Sequence, residues 1–224
     1  MTFSIVAKCT KTGQLGMAVS SSSPAVAARC AHAKAGVGVV GSQNITDPRL
    51  GPKTLLAMSE GHSAPEAVKM IVNAAKNADF RQVLAVDATG NAAIYSGSKS
   101  LDIHADFASQ NAAAAGNLLA NSNIPKAMVT AFHQGTGHLG DRLIDAMRVA
   151  LALGGEAGAL HSAGLLLVGE QEWPMADLRC DWTEDCPIEA VAVAWHIYKP
   201  QMDDYITRAL DPAKAPGYGV MGDE

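Results

Sequence analysis

The sequence predicts an α+β fold in which helices cover stacked antiparallel sheets. Three observations carry that prediction. Strand-like alternation starts at the second residue and returns after a tight turn, pairs of helical segments separate groups of short strands, and no period of about 20–50 residues repeats. The order strands, helix pair, strands, helix pair, strands, helix fits a four-layer αββα sandwich, and it also fits simpler α+β packings.

Residues 2–8 alternate, so Thr2, Ser4 and Val6 share one face while Phe3, Ile5 and Ala7 share the other. Residues 10–13 give a turn, and residues 14–20 return as the second strand of a hairpin, ending in the serine run 20–23 before Pro24. Residues 36–42 read as a third strand. Its alternating glycines, Gly36, Gly38 and Gly41, call for the close approach of a neighbour or a ligand. Helices follow at 52–59 and from 63, where Ser63 and Glu66 have capping-box spacing. A hairpin is signalled at 82–96, and residues 97–111 form a polar stretch without a clear element. Residues 112–119 read as a buried strand. Helices at 125–134 and 139–153, strands at 163–169 and 176–181, and a helix from 187 complete the pattern. We expect one domain over residues 1–200, with residues 201–224 as a surface extension able to cover a neighbouring subunit.

Composition narrows the function. Hydrophobic residues make up 48 % and charged residues 17 %, as expected of a folded chain. The net charge of −5 and the lack of a Lys/Arg cluster argue against nucleic acid or an anionic membrane as partner. No apolar run reaches the roughly 18–20 residues of a membrane span. The opening run reads as a strand rather than a secretory leader, so a cytoplasmic location with reduced cysteines is expected. Cys9, Cys30, Cys180 and Cys186 lack metal-ligand spacing, and the histidines at 32, 62, 104, 133, 138, 161 and 196 show none either, so neither metal nor cofactor is expected. The alanine-rich composition and the extension make a homo-oligomer the expected state.

Candidate chemistry begins at Thr2. Removal of Met1, which a small neighbouring side chain permits, would place a hydroxyl and a free α-amine on one residue. An unperturbed α-amine titrates near pH ~7.7–8.0 and can serve as the base for its own hydroxyl. Ser4 shares the face of Thr2 and is a second candidate nucleophile, though it brings no base of its own. The serine run offers further hydroxyls, Ser20 and Ser21, around such a nucleophile. Asn117 and Asn44 are candidate oxyanion donors, with Gln43 beside them.

Four segments are similar to a known family: Met1-Thr2-Phe3-Ser4-Ile5-Val6-Ala7, Ala33-Lys34-Ala35-Gly36-Val37-Gly38, Gly116-Asn117-Leu118-Leu119 and Asp177-Leu178-Arg179. Together, over residues 1–198, they resemble the bacterial DUF1028 family, an uncharacterised group assigned to the N-terminal nucleophile (Ntn) hydrolase superfamily. The resemblance implies the αββα sandwich. It also implies a threonine hydrolase mechanism in which a lysine about thirty residues after the nucleophile enters the site, a position comparable to that of Lys34. The acidic residue common at the end of the second strand in that superfamily is replaced here by Ser20-Ser21-Ser22. The expected function is an amidohydrolase acting on a small amide or peptide-like bond, with Thr2, Lys34, Asn117 and Asn44 catalytic and Ser4, Ser20, Ser21, Gln43 and Gly36 binding substrate. The alternative is a non-catalytic protein of the same fold that keeps Met1 and binds a small ligand or serves as an oligomeric scaffold.

Overall fold

The computed structural model describes residues 2–221. Met1, on whose removal the nucleophile reading depends, lies outside the described residues, as does the acidic end of the chain. The elements are β1 (Thr2–Lys8), β2 (Leu15–Ser21), α1 (Val26–Cys30), β3 (Ala31–Lys34), β4 (Gly38–Asn44), α2 (Leu50–Ser59), α3 (Ala64–Ala74), β5 (Arg81–Asp87), β6 (Ala92–Ser96), β7 (Ala105–Ser109), β8 (Ala112–Asn117), α4 (Ile124–Gln134), α5 (Leu139–Ala152), β9 (Ser162–Val168), β10 (Ala176–Cys180), α6 (Pro187–Tyr198) and α7 (Met202–Leu210).

The fold is mixed α and β, with two antiparallel sheets. One sheet has the strand order β10-β9-β2-β1-β8-β7 and the other β3-β4-β5-β6. The alternation of β1 explains how the hydrophobic packing divides. Phe3, Ile5 and Ala7 pack with Met128, Phe132, Leu143, Met147 and Trp195 from α4, α5 and α6. From the opposite face Val6 joins Met17 and Val19 of its own sheet and Val39, Leu84 and Val86 of the second sheet. The outward residues of that second sheet, Val40, Val83 and Ala85, pack with Leu55, Met58, Val68 and Val72 of α2 and α3. Thr2 and Ser4, in step with Val6, therefore project into the seam between the sheets.

Local chemistry accounts for the element ends. Ser63 N–H donates to Glu66 Oε2 at 2.8 Å, closing the expected capping box at the start of α3. The glycines of β4 answer to packing. A Cβ on Gly38 would lie 2.9 Å from Val86 O and 2.6 Å from Met58 Cε, and one on Gly41 would lie 2.6 Å from Leu84 Cδ2. The close neighbours there are thus a strand backbone and core side chains. Four elements escaped the sequence pattern, α1, β3, β7 and α7. α1 has five residues entered from Ala25 in left-handed backbone, and β3 has only four, too few to show a period. The polar stretch after β6 contains the short strand β7, paired with β8. After α6 the chain continues into α7, where Met202 is buried against the α6 cluster and Tyr205 stacks on Tyr198 with ring centroids 5.7 Å apart. Among the described residues, no helix is long and apolar enough to cross a membrane.

Candidate functional site

Thr2 opens β1 between two cross-strand neighbours, Ser21 of β2 and Asn117 of β8. It is 5 % exposed. Its hydroxyl donates to Ser21 Oγ at 3.2 Å, and Ser21 Oγ shares a hydrogen bond of 2.8 Å with Ser23 Oγ. Ser23 N–H donates to Ser21 Oγ at 3.1 Å, so the tight β2–α1 connection holds both hydroxyls in place. The row ends in a cation, because Arg29 Nη2 donates to Ser23 Oγ. Arg29 Nη1 donates to Pro24 O and, at 2.9 Å, to Ala25 O, fixing the guanidinium over the loop it serves. Ser162 closes the base of this loop, its hydroxyl donating to Ser23 O at 2.6 Å and accepting from Val26 N–H at 3.2 Å. On the other side, the buried Glu156 of the α5–β9 connection accepts from Ser22 N–H at 3.0 Å.

A second polar cluster fills the seam next to Thr2. Ser4 Oγ donates to Gln43 Oε1 at 2.6 Å, and Gln43 Nε2 donates to Gln82 Oε1 and to Ala115 O, both at 3.1 Å. Asn117 Nδ2 also donates to Gln82 Oε1, at 2.8 Å. Gln82 Nε2 donates to Gly116 O and to Ser96 Oγ, both at 3.1 Å, and Ser96 Oγ in turn donates to Asp106 Oδ2 at 2.6 Å. Ser4, Gln43, Gln82 and Asn117 are all 0 % exposed, so the network is closed off from bulk solvent. Such a network rigidifies the seam when every member is paired.

Backbone strain collects at the same end of the sheets. Ala25 has φ +51° and Leu118 φ +50°, although neither side chain can compensate for left-handed backbone as Asn or Asp does. Each costs about 1–2 kcal/mol, and they flank the Thr2 cluster, one beyond Ser23 and one after Asn117.

Of the sequence candidates, Thr2, Ser21, Asn117, Ser4 and Gln43 come together here. Ser20 lies next to them but faces the helices, its hydroxyl donating to Ser162 O at 3.0 Å. Lys34 is not brought to Thr2. It is exposed at the end of β3 and pairs with Gly38, whereas the Thr2 cluster meets β4 at Gln43. Five residues of strand separate those two levels, about 17 Å. Gly36 belongs to the same far turn, with φ +68°, and is likewise remote from Thr2. Asn44 is engaged structurally, Nδ2 donating to Phe80 O at 2.7 Å and Oδ1 accepting from Leu101 N–H at 3.3 Å. Asn117 gives one amide N–H to Gln82, which leaves at most its second N–H for the expected oxyanion role. His32 rests its imidazole against Gly51, with Nε2 3.3 Å from Arg29 O. Burial pushes its pKa below the ordinary histidine value despite that contact. Among the described residues no group of three or more His, Cys, Asp or Glu side chains is placed to hold a metal ion.

Arg29, Ser23, Gln82, Glu156 and Ser162 complete the site without having been singled out in the sequence. Only Ser23 and Arg29 had a local signal, as the end of the serine run and the first cation after it; the others arrive from distant strands and loops.

The arrangement can lower the free energy of an alkoxide at Thr2 through two hydroxyls whose outer end is cationic. It offers Ser4 no base, since an amide oxygen accepts its hydrogen bond without taking its proton.

Comparison with known proteins bears out the DUF1028 part of the resemblance seen in the sequence. The crystal structure of protein SPO2555 from Silicibacter pomeroyi, itself a DUF1028 protein, is 28 % identical, covers 88 % of this chain and 89 % of that one, and superposes with a TM-score of 0.82. Anbu (ancestral beta-subunit) from Yersinia bercovieri is 11 % identical over 97 % of this chain and 100 % of that one, with a TM-score of 0.41. No curated protein matches. The model of the family of unknown function DUF1028 matches residues 2–191, and the chain belongs to that family.

Proposed function

We propose that this protein is an N-terminal-nucleophile amidohydrolase that cleaves a small amide or peptide-like bond through Thr2. The row Thr2–Ser21–Ser23–Arg29 carries the reading, because it joins a hydroxyl at the start of a strand to a fixed cation. With Met1 removed, the α-amine of Thr2 takes the hydroxyl proton as Oγ1 attacks the substrate carbonyl carbon. Ser21 and Ser23, polarised by Arg29, stabilise the negative charge that passes through Oγ1. Collapse of the tetrahedral adduct breaks the carbon–nitrogen bond, and the amine returns its proton to the leaving nitrogen. Water, deprotonated by the same amine, then hydrolyses the ester on Thr2 and restores the hydroxyl. No cofactor enters this scheme, and Arg29 takes the electrostatic role first given to Lys34.

The packing fits this reading. Helices α4–α6, the six-stranded sheet, the four-stranded sheet and helices α2–α3 are joined by three hydrophobic clusters, as an αββα sandwich requires. Self-association and a cytoplasmic location belong to the same proposal. Val193 and Ile197, each 61 % exposed on α6, give a second copy an apolar strip to cover, which light scattering tests.

The deciding experiment is intact mass and N-terminal sequencing of untagged protein, followed by reaction with p-nitrophenyl acetate and peptide mapping. The reading expects a chain beginning at Thr2 and acetylated at that residue, on Oγ1 or on its amine after transfer from Oγ1, much faster than the slow background acetylation of the α-amine that Thr2→Ala retains. Complete retention of Met1, or reaction only at surface lysines, would end it.

A further inference from the structure

The buried amides in the seam have only one consistent orientation. Ala115 O and Gly116 O can only accept, so the carboxamide nitrogens of Gln43 and Gln82 must face them, each at 3.1 Å. Gln82 Oε1 is thereby turned toward Gln43 Nε2 and Asn117 Nδ2, which both donate to it. The two ends of the cluster are then fixed. At one end Ser4 donates to Gln43. At the other, Asn117 Oδ1 has no hydrogen-bond partner among the described residues, although the residue is 0 % exposed.

A buried acceptor without a donor is uncommon in native proteins and asks for an explanation. This one sits on the cross-strand partner of Thr2, on the same face of the sheet, with Cβ atoms roughly 4.5–5.5 Å apart. Its sign is informative. A carbonyl oxygen repels an oxyanion but accepts an N–H, so what it lacks is a donor on whatever reaches Thr2.

We propose that Asn117 Oδ1 accepts an N–H of the ligand bound at Thr2, and that the site selects primary and secondary amides over esters and tertiary amides. This rests on Thr2 being the nucleophile. The contact would hold the leaving nitrogen of the amide while Oγ1 approaches its carbonyl carbon. A site built to receive an N–H rejects an analogue lacking it, because its own polar group is then left unpaired.

The test uses protein shown by mass to begin at Thr2. Acetylation of residue 2 by p-nitrophenyl acetate is followed by peptide mapping in the presence of acetamide, N-methylacetamide, N,N-dimethylacetamide or methyl acetate. The first two are expected to protect Thr2 at least about fivefold better than the last two, in line with the usual loss when a buried polar group is left unpaired. In Asn117→Ala that ratio should collapse toward one. Gln82 Oε1 keeps its bond from Gln43 in this variant, which preserves the seam, and Asn117→Ser provides a second small replacement with the same expectation. Equal protection by all four compounds, protection by none, or a ratio that survives both substitutions would overturn the proposal. Failure to acetylate residue 2 at all would strike the nucleophile reading itself, a separate result.

Discussion

Replacing Arg29 with methionine should slow acylation of Thr2 about thirtyfold. The guanidinium lies at the end of a path of three hydrogen bonds from Thr2 Oγ1, so the two are within about 8–9 Å. At that separation and an effective dielectric near 20, a full charge on Oγ1 is stabilised by about 2 kcal/mol, and about 1.4 kcal/mol corresponds to each factor of ten. Arg29 is also a scaffold, because its fork holds Pro24 O and Ala25 O and keeps Ala25 in left-handed backbone. The two roles separate with Arg29→Lys, which keeps a charge near Ser23 but cannot bridge both carbonyls. Both variants should melt at lower temperature than the wild type. Only the methionine variant should lose the acylation rate, while the lysine variant stays within about threefold of the parent by the same Coulomb estimate. The assay is the rate of acetyl incorporation at residue 2, measured by mass on protein beginning at Thr2, at low and high salt. Added salt should narrow the gap between wild type and methionine variant, since the loop is only half-buried. Equal rates for the methionine and lysine variants, whatever their melting temperatures, would refute the electrostatic argument and leave Arg29 as a loop anchor.

Three further substitutions probe the frame that holds the site. Gly38→Ala, a change that usually stabilises a strand slightly, should here cost about 1–3 kcal/mol in a urea titration, because the new Cβ would meet Val86 O at 2.9 Å and a backbone oxygen cannot step aside. Gln82→Met should cost about 2–4 kcal/mol in the same titration by leaving the Asn117 amide without its acceptor; a loss below about 0.5 kcal/mol would mean that water fills the seam. Burial holds His138 below its ordinary value of 6.5, and its neutral Nδ1 accepts Gly140 N–H at the start of α5. The folded state thus binds fewer protons than the unfolded one, so this contribution is complete above pH 6.5 and fades as the pH falls through the lower folded value. His138→Asn keeps a good helix cap without titrating, and its melting temperature should fall less than that of the wild type between about pH 7 and pH 5; parallel curves would exclude His138 as a source of acid sensitivity.

What the sequence disclosed about this molecule was whatever a period or a local cap can encode. The alternation of residues 2–8 put Thr2 and Ser4 on one face, and both do project into the seam with Val6. Ser63 and Glu66 announced the start of α3 through a bond between neighbours in sequence. Gln82 looked like any polar residue opening a hairpin strand, because its importance comes from Asn117 and Gln43, which lie 35 and 39 residues away. Glu156 and Ser162 reach the site from the far end of the chain by the same kind of closure, and no local pattern marks them.

Lys34 shows how counting along a chain misplaces a charge. Its distance from Thr2 in sequence suits a cation in the site, but an antiparallel hairpin sends residues near in sequence to opposite ends of a sheet. Along β3 the pairing runs from Ala31 with Gly41 to Lys34 with Gly38, away from the level of Gln43 and Thr2. A cation meant for Thr2 must precede β3 rather than end it. Arg29 does so by two residues, and α1 turns its guanidinium back onto Ser23. Lys34 instead points to solvent beside the β3–β4 turn, so Lys34→Ala should leave acylation of Thr2 unchanged within about twofold, the scatter ordinary for a surface substitution. A loss as large as that expected for Arg29→Met would mean that the lysine reaches Thr2 after all, and the register of β3 against β4 would have to be wrong.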